Sequence, residues 1–263
     1  MSYLVDAPDG TRIACQVSGQ GPPLVLVHGA GSGAWGFALL RPHLEARFTV
    51  WTPDRRGRGE SGDAPGYELE REFADVAAVV RAAGEGAALV GHSYGGLVAA
   101  GAACELPGLP KLALYEPPMG GVLASRKRIQ RWEGLIEAGE RELVLREFLQ
   151  EVGGYSRAEV EELAATPAWD LRKAVAPTLP RELRAELCHT LDRSALGRVT
   201  APVLLLLGSE SPAWAQRSTA AYAEAFPDVR VRPLDGHGHG AAMSGPELLA
   251  AEIASFLDPA RAR

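Results

Sequence analysis

Gly91-His92-Ser93-Tyr94-Gly95-Gly96 constrains the fold more than any other stretch of this chain. The apolar run Ala87-Ala88-Leu89-Val90 leads into it, and Leu97-Val98-Ala99-Ala100 leads out. The first run has the length of a buried strand and the second continues as a helix, so G-x-S-x-G reads as a tight strand-to-helix turn. Such a turn strains its central residue and lifts that side chain off the sheet. A serine hydroxyl is a weak nucleophile unless it is held exposed, beside a base and near donors for developing negative charge; the N-terminus of the following helix supplies such donors. Gly91 and Gly95, two residues either side of Ser93, remove side chains where strand and helix crowd together. Ser93 is the candidate nucleophile; the plainer alternative is a glycine-rich turn with an incidental serine.

Short apolar runs alternate with longer helical patterns elsewhere, the signature of an α/β fold with a mostly parallel sheet and helices on both faces. Eight strands are predicted, at 3–6, 12–18, 24–27, 49–52, 88–90, 112–115, 203–207 and 229–233, the first two as an antiparallel hairpin around Pro8-Asp9-Gly10. Helices are predicted over 37–46, 69–83, 95–105, 213–226 and 246–257. The alternation breaks between Pro117 and Pro202, where about 80 residues show helical periodicity and no strand, far longer than an ordinary connection. The expected division is a core of residues 1–117 and 202–263 with a helical insertion at 118–201. The tail Pro259-Ala260-Arg261-Ala262-Arg263 is expected to fray.

With 46% hydrophobic residues among 263, the chain can bury a sizeable core. A formal charge of −6 argues against nucleic acid or an anionic membrane as a main partner. Cys15, Cys104 and Cys188 are odd in number, widely separated and without metal-ligand spacing, which suits free thiols in a reducing compartment. The N-terminus lacks a basic start followed by an apolar run, and no apolar stretch approaches the length of a membrane span. A cytoplasmic location is expected.

A nucleophilic serine needs a base, and the base needs an orienting carboxylate. Two of the six histidines lie in Leu234-Asp235-Gly236-His237-Gly238-His239-Gly240, after the last strand, where a loop can fold back over the strand ends. His239 closes a G-x-G-H pattern and is preferred, with His237 as the competitor. Read as metal ligands, the pair lacks a third ligand at telling spacing, and no metal is expected. His92 is expected to pack under the turn and His28 to tie down its own loop, while His43 and His189 sit on helical patterns. Asp54 and its arginine-rich turn read as a loop that stabilises itself.

Four segments, His28-Gly29-Ala30-Gly31, Asp54-Arg55-Arg56-Gly57-Arg58-Gly59-Glu60-Ser61, the Gly91–Gly96 elbow and the Gly236–His239 loop, follow an order and spacing that resembles the α/β-hydrolase superfamily. The likeness runs from near residue 10 to 257 except in the insertion, which looks like that family's variable helical cap. The resemblance implies a triad in the order serine, acid, histidine and an oxyanion hole of two backbone amides, which by position belong to Ala30 and Tyr94. The acid is where the chain departs from the pattern. Most relatives carry Asp in G-x-x-D after the seventh strand; here the segment is Gly208-Ser209-Glu210-Ser211, and Ser211 holds the Asp position. Glu116, at the end of the sixth strand, resembles an alternative acid position used by some relatives and is preferred. Glu210, one residue from the usual place, competes, as does water or another group.

Two other classes compete. Gly29-Ala30-Gly31-Ser32-Gly33-Ala34 followed by Asp54 fits a dinucleotide-binding turn, but two strands precede it, and it leaves the elbow and late histidine unexplained. A non-catalytic small-molecule-binding member of the fold would suit the missing Asp, though not the presence of both Ser93 and His239. A serine at the elbow excludes aspartyl-nucleophile chemistry. The expectation is a cofactor-free, carboxylesterase-like hydrolase (EC 3.1.1) that opens a small to medium hydrophobic ester, lactone or thioester through an acyl-enzyme. Perhydrolysis, C–C cleavage next to a carbonyl and acyl transfer use similar triads and stay open. Trp35, Phe37, Tyr94, Trp132, Trp169 and Trp214 are available for an acyl pocket. The expected partner is the small acyl substrate, and the oligomeric state is not legible.

Overall fold

The computed structural model describes residues 1–258, so the tail expected to fray lies outside the described residues. The eight strands are β1 (Ser2–Asp6), β2 (Arg12–Gly19), β3 (Pro23–Val27), β4 (Thr49–Pro53), β5 (Ala88–His92), β6 (Leu112–Tyr115), β7 (Val203–Gly208) and β8 (Val229–Leu234). They form one sheet in the order β1-β2-β4-β3-β5-β6-β7-β8. β2 is antiparallel to both β1 and β4, and every pairing from β4 across to β8 is parallel. The opening hairpin turns at Gly10, whose φ of +83° suits glycine and whose amide donates to Ala7 O at 2.9 Å.

The helices are α1 (Arg41–Glu45), α2 (Leu69–Ala83), α3 (Tyr94–Cys104), α4 (Arg126–Glu137), α5 (Arg141–Glu151), α6 (Arg157–Ala164), α7 (Ala168–Val175), α8 (Leu179–Cys188), α9 (Arg193–Leu196), α10 (Ala213–Ala225), α11 (Ala241–Ser244) and α12 (Pro246–Leu257). Successive strand side chains face opposite sides, so the unbroken apolar run of β3 needs cover on both. Val25 and Val27 join the core with α2, α3 and α10, whereas Leu24 and Leu26 join that with α1 and α12. α3 is buried nearly all round, as its composition of Gly, Ala, Val and Leu requires. The single helix expected over 37–46 is instead a 3-10 turn, Ala34–Phe37, followed by α1. Pro42 accounts for the break: it is tolerated in a first helical turn and disrupts a helix interior. Among the described residues no helix is long and apolar enough to cross a membrane.

Helices α4 to α9 lie between β6 and β7; α4 to α8 build their own core around Trp132, Leu145, Leu149, Val160 and Leu183, completed by Trp214 of α10, whereas Leu196 of α9 packs into the sheet core with α3. Buried charge ties this segment to the sheet. Glu182 on α8 accepts from Arg55 at 3.0 Å and from Arg58, both in the loop after β4. Arg55 also forks onto Glu72 of α2 at 2.7 and 2.5 Å, and Arg56 onto Asp75 at 2.7 Å through each of two nitrogens. The arginine-rich turn therefore does more than hold itself: it joins α2, the sheet and the insertion. Glu182→Gln leaves the buried Arg58 guanidinium without a carboxylate, and we expect it to cost about 3–5 kcal/mol of stability in urea unfolding.

Candidate active site

β5 ends at His92 and α3 begins at Tyr94, leaving Ser93 between them at φ +55°, ψ −128°. A non-glycine residue held there stores about 1–3 kcal/mol of strain, which the surrounding packing must enforce. The Ser93 amide donates to Tyr115 O at 2.8 Å, and its carbonyl accepts from Gly96 N at 2.7 Å. The two flanking glycines allow strand and helix to meet. A Cβ on Gly95 would lie 2.4 Å from the carbonyl oxygens of both Val27 and His28, and one on Gly91 would lie 2.4 Å from Gly95 O.

Glu116 follows β6 in the second strained backbone of this kind, φ +48°, with a fully buried side chain. Its Oε2 lies 2.5 Å from His239 Nδ1. Its Oε1 accepts from Gly208 N at 2.8 Å and from the hydroxyl of Ser211. Ser211, at the position expected to hold an Asp, thus donates to the carboxylate beside it. A carboxylate at Nδ1 keeps the proton on that nitrogen and leaves Nε2 of His239 as the basic atom. Glu210 is exposed and does not meet His239, while His237 is held away by Ser244 Oγ, 3.0 Å from its Nδ1.

Several side chains hold the His239 loop. His92 stacks on Tyr115 at 4.9 Å, and its Nε2 donates to His239 O at 2.9 Å. Burial, then the neighbouring His239, pushes His92 down to about 3, so the ring is neutral. Tyr115 donates to Gly238 O, and Trp214 meets the His239 ring edge-on at 5.1 Å. On the opposite wall, His28 Nδ1 donates to Gly29 O at 2.9 Å and Nε2 accepts from Arg55 N at 3.1 Å. Burial, with Arg58 and Arg55 nearby, holds His28 well below its ordinary value, so it fastens the β3 and β4 loops together as a neutral ring. Gly29 abuts the nucleophile: a Cβ there would lie 2.9 Å from Ser93 Cβ. Ala30 lies on the cavity wall next to Gly29, and Tyr94 N opens α3, where no carbonyl of the helix can reach it. Asp54 accepts from Ala34 N at 2.9 Å and from Glu60 N at 3.4 Å. The glycine-rich turn after β3 leads only into the 3-10 turn, without the long helix on whose N-terminus a dinucleotide pyrophosphate would rest.

Ser93, His239 and Ala30 open onto one cavity of about 70 Å³, several times the roughly 10–15 Å³ that a single water needs. Of the six aromatic residues expected in an acyl pocket, Phe37 alone lines it; the apolar wall comes instead from Phe148, Leu149 and Val152 of the insertion and Met243 of α11. Trp132, Trp169 and Trp214 are buried in the insertion core, Trp35 lies under Arg172, and the Tyr94 hydroxyl pairs with Tyr67 at 2.9 Å. Large aromatic rings bury more area inside the insertion than a small cavity can offer. Two polar residues in the wall, Tyr155 and Arg172, were not singled out from sequence, since nothing in the spacing of Ala168–Val175 sets Arg172 apart.

The model of the alpha/beta hydrolase family matches residues 24–252. An N-formylmaleamate deformylase from Pseudomonas putida is 29% identical over 262 residues, covering 91% of this chain and 90% of that protein. A 2-(acetamidomethylene)succinate hydrolase from Mesorhizobium japonicum is 28% identical over 261 residues, covering 91% and 89%. The crystal structure of an alpha/beta hydrolase from Sphaerobacter thermophilus matches with a TM-score of 0.84 at 33% identity, over 97% of this chain and 100% of the other.

Proposed function

The chain belongs to the alpha/beta hydrolase family, and from that premise we propose that it is a serine hydrolase that opens a small ester, lactone or thioester through an acyl-enzyme. The observation that supports this most is the 2.5 Å contact between His239 Nδ1 and Glu116, made at the wall of the cavity that also receives the strained Ser93. Nε2 of His239 takes the hydroxyl proton as Ser93 Oγ bonds to the acyl carbon. The carbonyl electron pair moves to oxygen, where the Ala30 and Tyr94 amides donate to it. His239 then returns that proton to the leaving group as its bond to the acyl carbon breaks. Water, deprotonated by the same Nε2, attacks the acyl-enzyme and releases the acid with Ser93 restored. Glu116 accepts from Nδ1–H throughout and stabilises the charged ring.

Helices α4 to α8 act in this scheme as a cap that limits acyl size and excludes water, a role supported by the Phe148, Leu149 and Val152 wall. The three cysteines are free thiols, in keeping with a reducing cytoplasm. A second reading, cleavage of an N-acyl bond, is favoured by the names of the deformylase and the acetamido hydrolase, and needs the same proton from His239 to reach a departing nitrogen.

A panel of p-nitrophenyl esters of increasing chain length, a lactone, a thioester and an N-formyl amide tests both readings. We expect short acyl groups to be cleaved much faster than long ones, with all turnover lost in Ser93→Ala. Turnover that persists in Ser93→Ala, or none on any compound, would overturn the assignment.

A further inference from the structure

We propose that Arg172 makes this cavity a site for an acyl substrate bearing a free carboxylate, an inference that rests on the hydrolase reading above and names its substrate class. Arg172, on α7, is 8% exposed and lines the same cavity as Ser93 and His239. Its guanidinium lies over the Trp35 ring at 4.9 Å. Its protein acceptors are weak ones: Gly31 O at 3.3 Å from Nη1 and the Met243 sulfur at 3.6 Å from Nη2. Nε is buried and has no hydrogen-bond partner among the described residues.

The contrast with the other buried arginines decides the reading. Arg55, Arg56 and Arg58 each face at least one carboxylate at hydrogen-bonding distance. Where this protein buries a guanidinium to hold its fold together, it supplies the counter-charge. Arg172 forms no ion pair with any described carboxylate, and neither Asp nor Glu lines its cavity. The lining histidines His28 and His92 are held neutral, and Glu116 is engaged behind His239 by Gly208 and Ser211. An always-charged, planar fork of donors left uncompensated in a walled cavity suits a carboxylate, which accepts two parallel N–H bonds and supplies the missing charge. Tyr155 completes the polar wall. A Cβ on Gly240 would lie 2.6 Å from its hydroxyl, so the glycine after His239 makes room for it. The substrate expected from sequence as simply hydrophobic is therefore refined to one with an anionic end and a short apolar body.

The test reads binding apart from turnover. Succinate and its uncharged analogue succinamide are added at equal ionic strength to the Ser93→Ala protein, and the melting temperature is followed. Succinate is expected to raise it by several degrees and succinamide not to. The shift should vanish in Ser93→Ala/Arg172→Met and return in part in Ser93→Ala/Arg172→Lys. With intact Ser93, the kcat/KM ratio of monomethyl succinate to dimethyl succinate should fall at least tenfold in Arg172→Met. Equal shifts from succinate and succinamide, a measurement that needs no Arg172 variant, would overturn the proposal. So would an Arg172→Met protein that loses activity on both esters alike, the mark of a scaffold residue. Failure of the hydrolase reading looks different: no turnover of either ester by the Ser93 protein, with the succinate shift still present.

Discussion

Glu116→Gln is expected to lower kcat/KM by about 10⁴, whereas Glu210→Gln changes it by no more than a few-fold. The size of the loss follows from how the carboxylate is held. Its Oε1 accepts from the Gly208 amide and the Ser211 hydroxyl, so a glutamine at 116 keeps its carbonyl oxygen on those two donors. Its NH₂ is then turned toward Nδ1 of His239, 2.5 Å from the oxygen it replaces. A donor there selects the tautomer with the proton on Nε2, and the ring can no longer take a proton from serine. Glu210 lies on the surface with its backbone amide on His237 O at 3.0 Å, and has no path to that ring. Steady-state kinetics on a short ester, with melting curves to show that both variants fold, checks the pair of values.

Ser93→Ala is expected to reduce kcat by about 10⁶ while shifting stability by no more than about 1 kcal/mol. The two effects separate because the turn is enforced by groups other than the hydroxyl: the Gly91 and Gly95 contacts, the amide bond to Tyr115 and the packing of α3. Alanine at φ +55° carries the same backbone strain as serine. Single-turnover assays with thermal melts measure both quantities.

The parts of this molecule that depend on local pattern were legible from its residues. β3, β5 and β7 are short apolar runs that needed cover on both faces, and the Ser93 turn was visible because glycine spacing and the change from strand to helix period coincide. Where one proline intervened, at Pro42, the helical pattern overstated the element. Relations between distant segments were much less legible. Ser211 stood out only as a missing Asp; that it donates to Glu116 depends on β6 and β7 being neighbours. Most of the aromatic residues available for the pocket do not line it, because tertiary packing sends Trp132, Trp169 and Trp214 into the insertion core. Arg172 was invisible for the opposite reason: on an amphipathic helix among other charges, its isolation from any carboxylate exists only in three dimensions.

Peptide mapping after reaction with a fluorophosphonate tests most directly whether Glu116, His239 and Ser93 act as one unit. The expected result is a single adduct on Ser93, formed far more slowly in His239→Ala and in Glu116→Gln. An unmodified Ser93, or one that reacts at the same rate without His239, would contradict it.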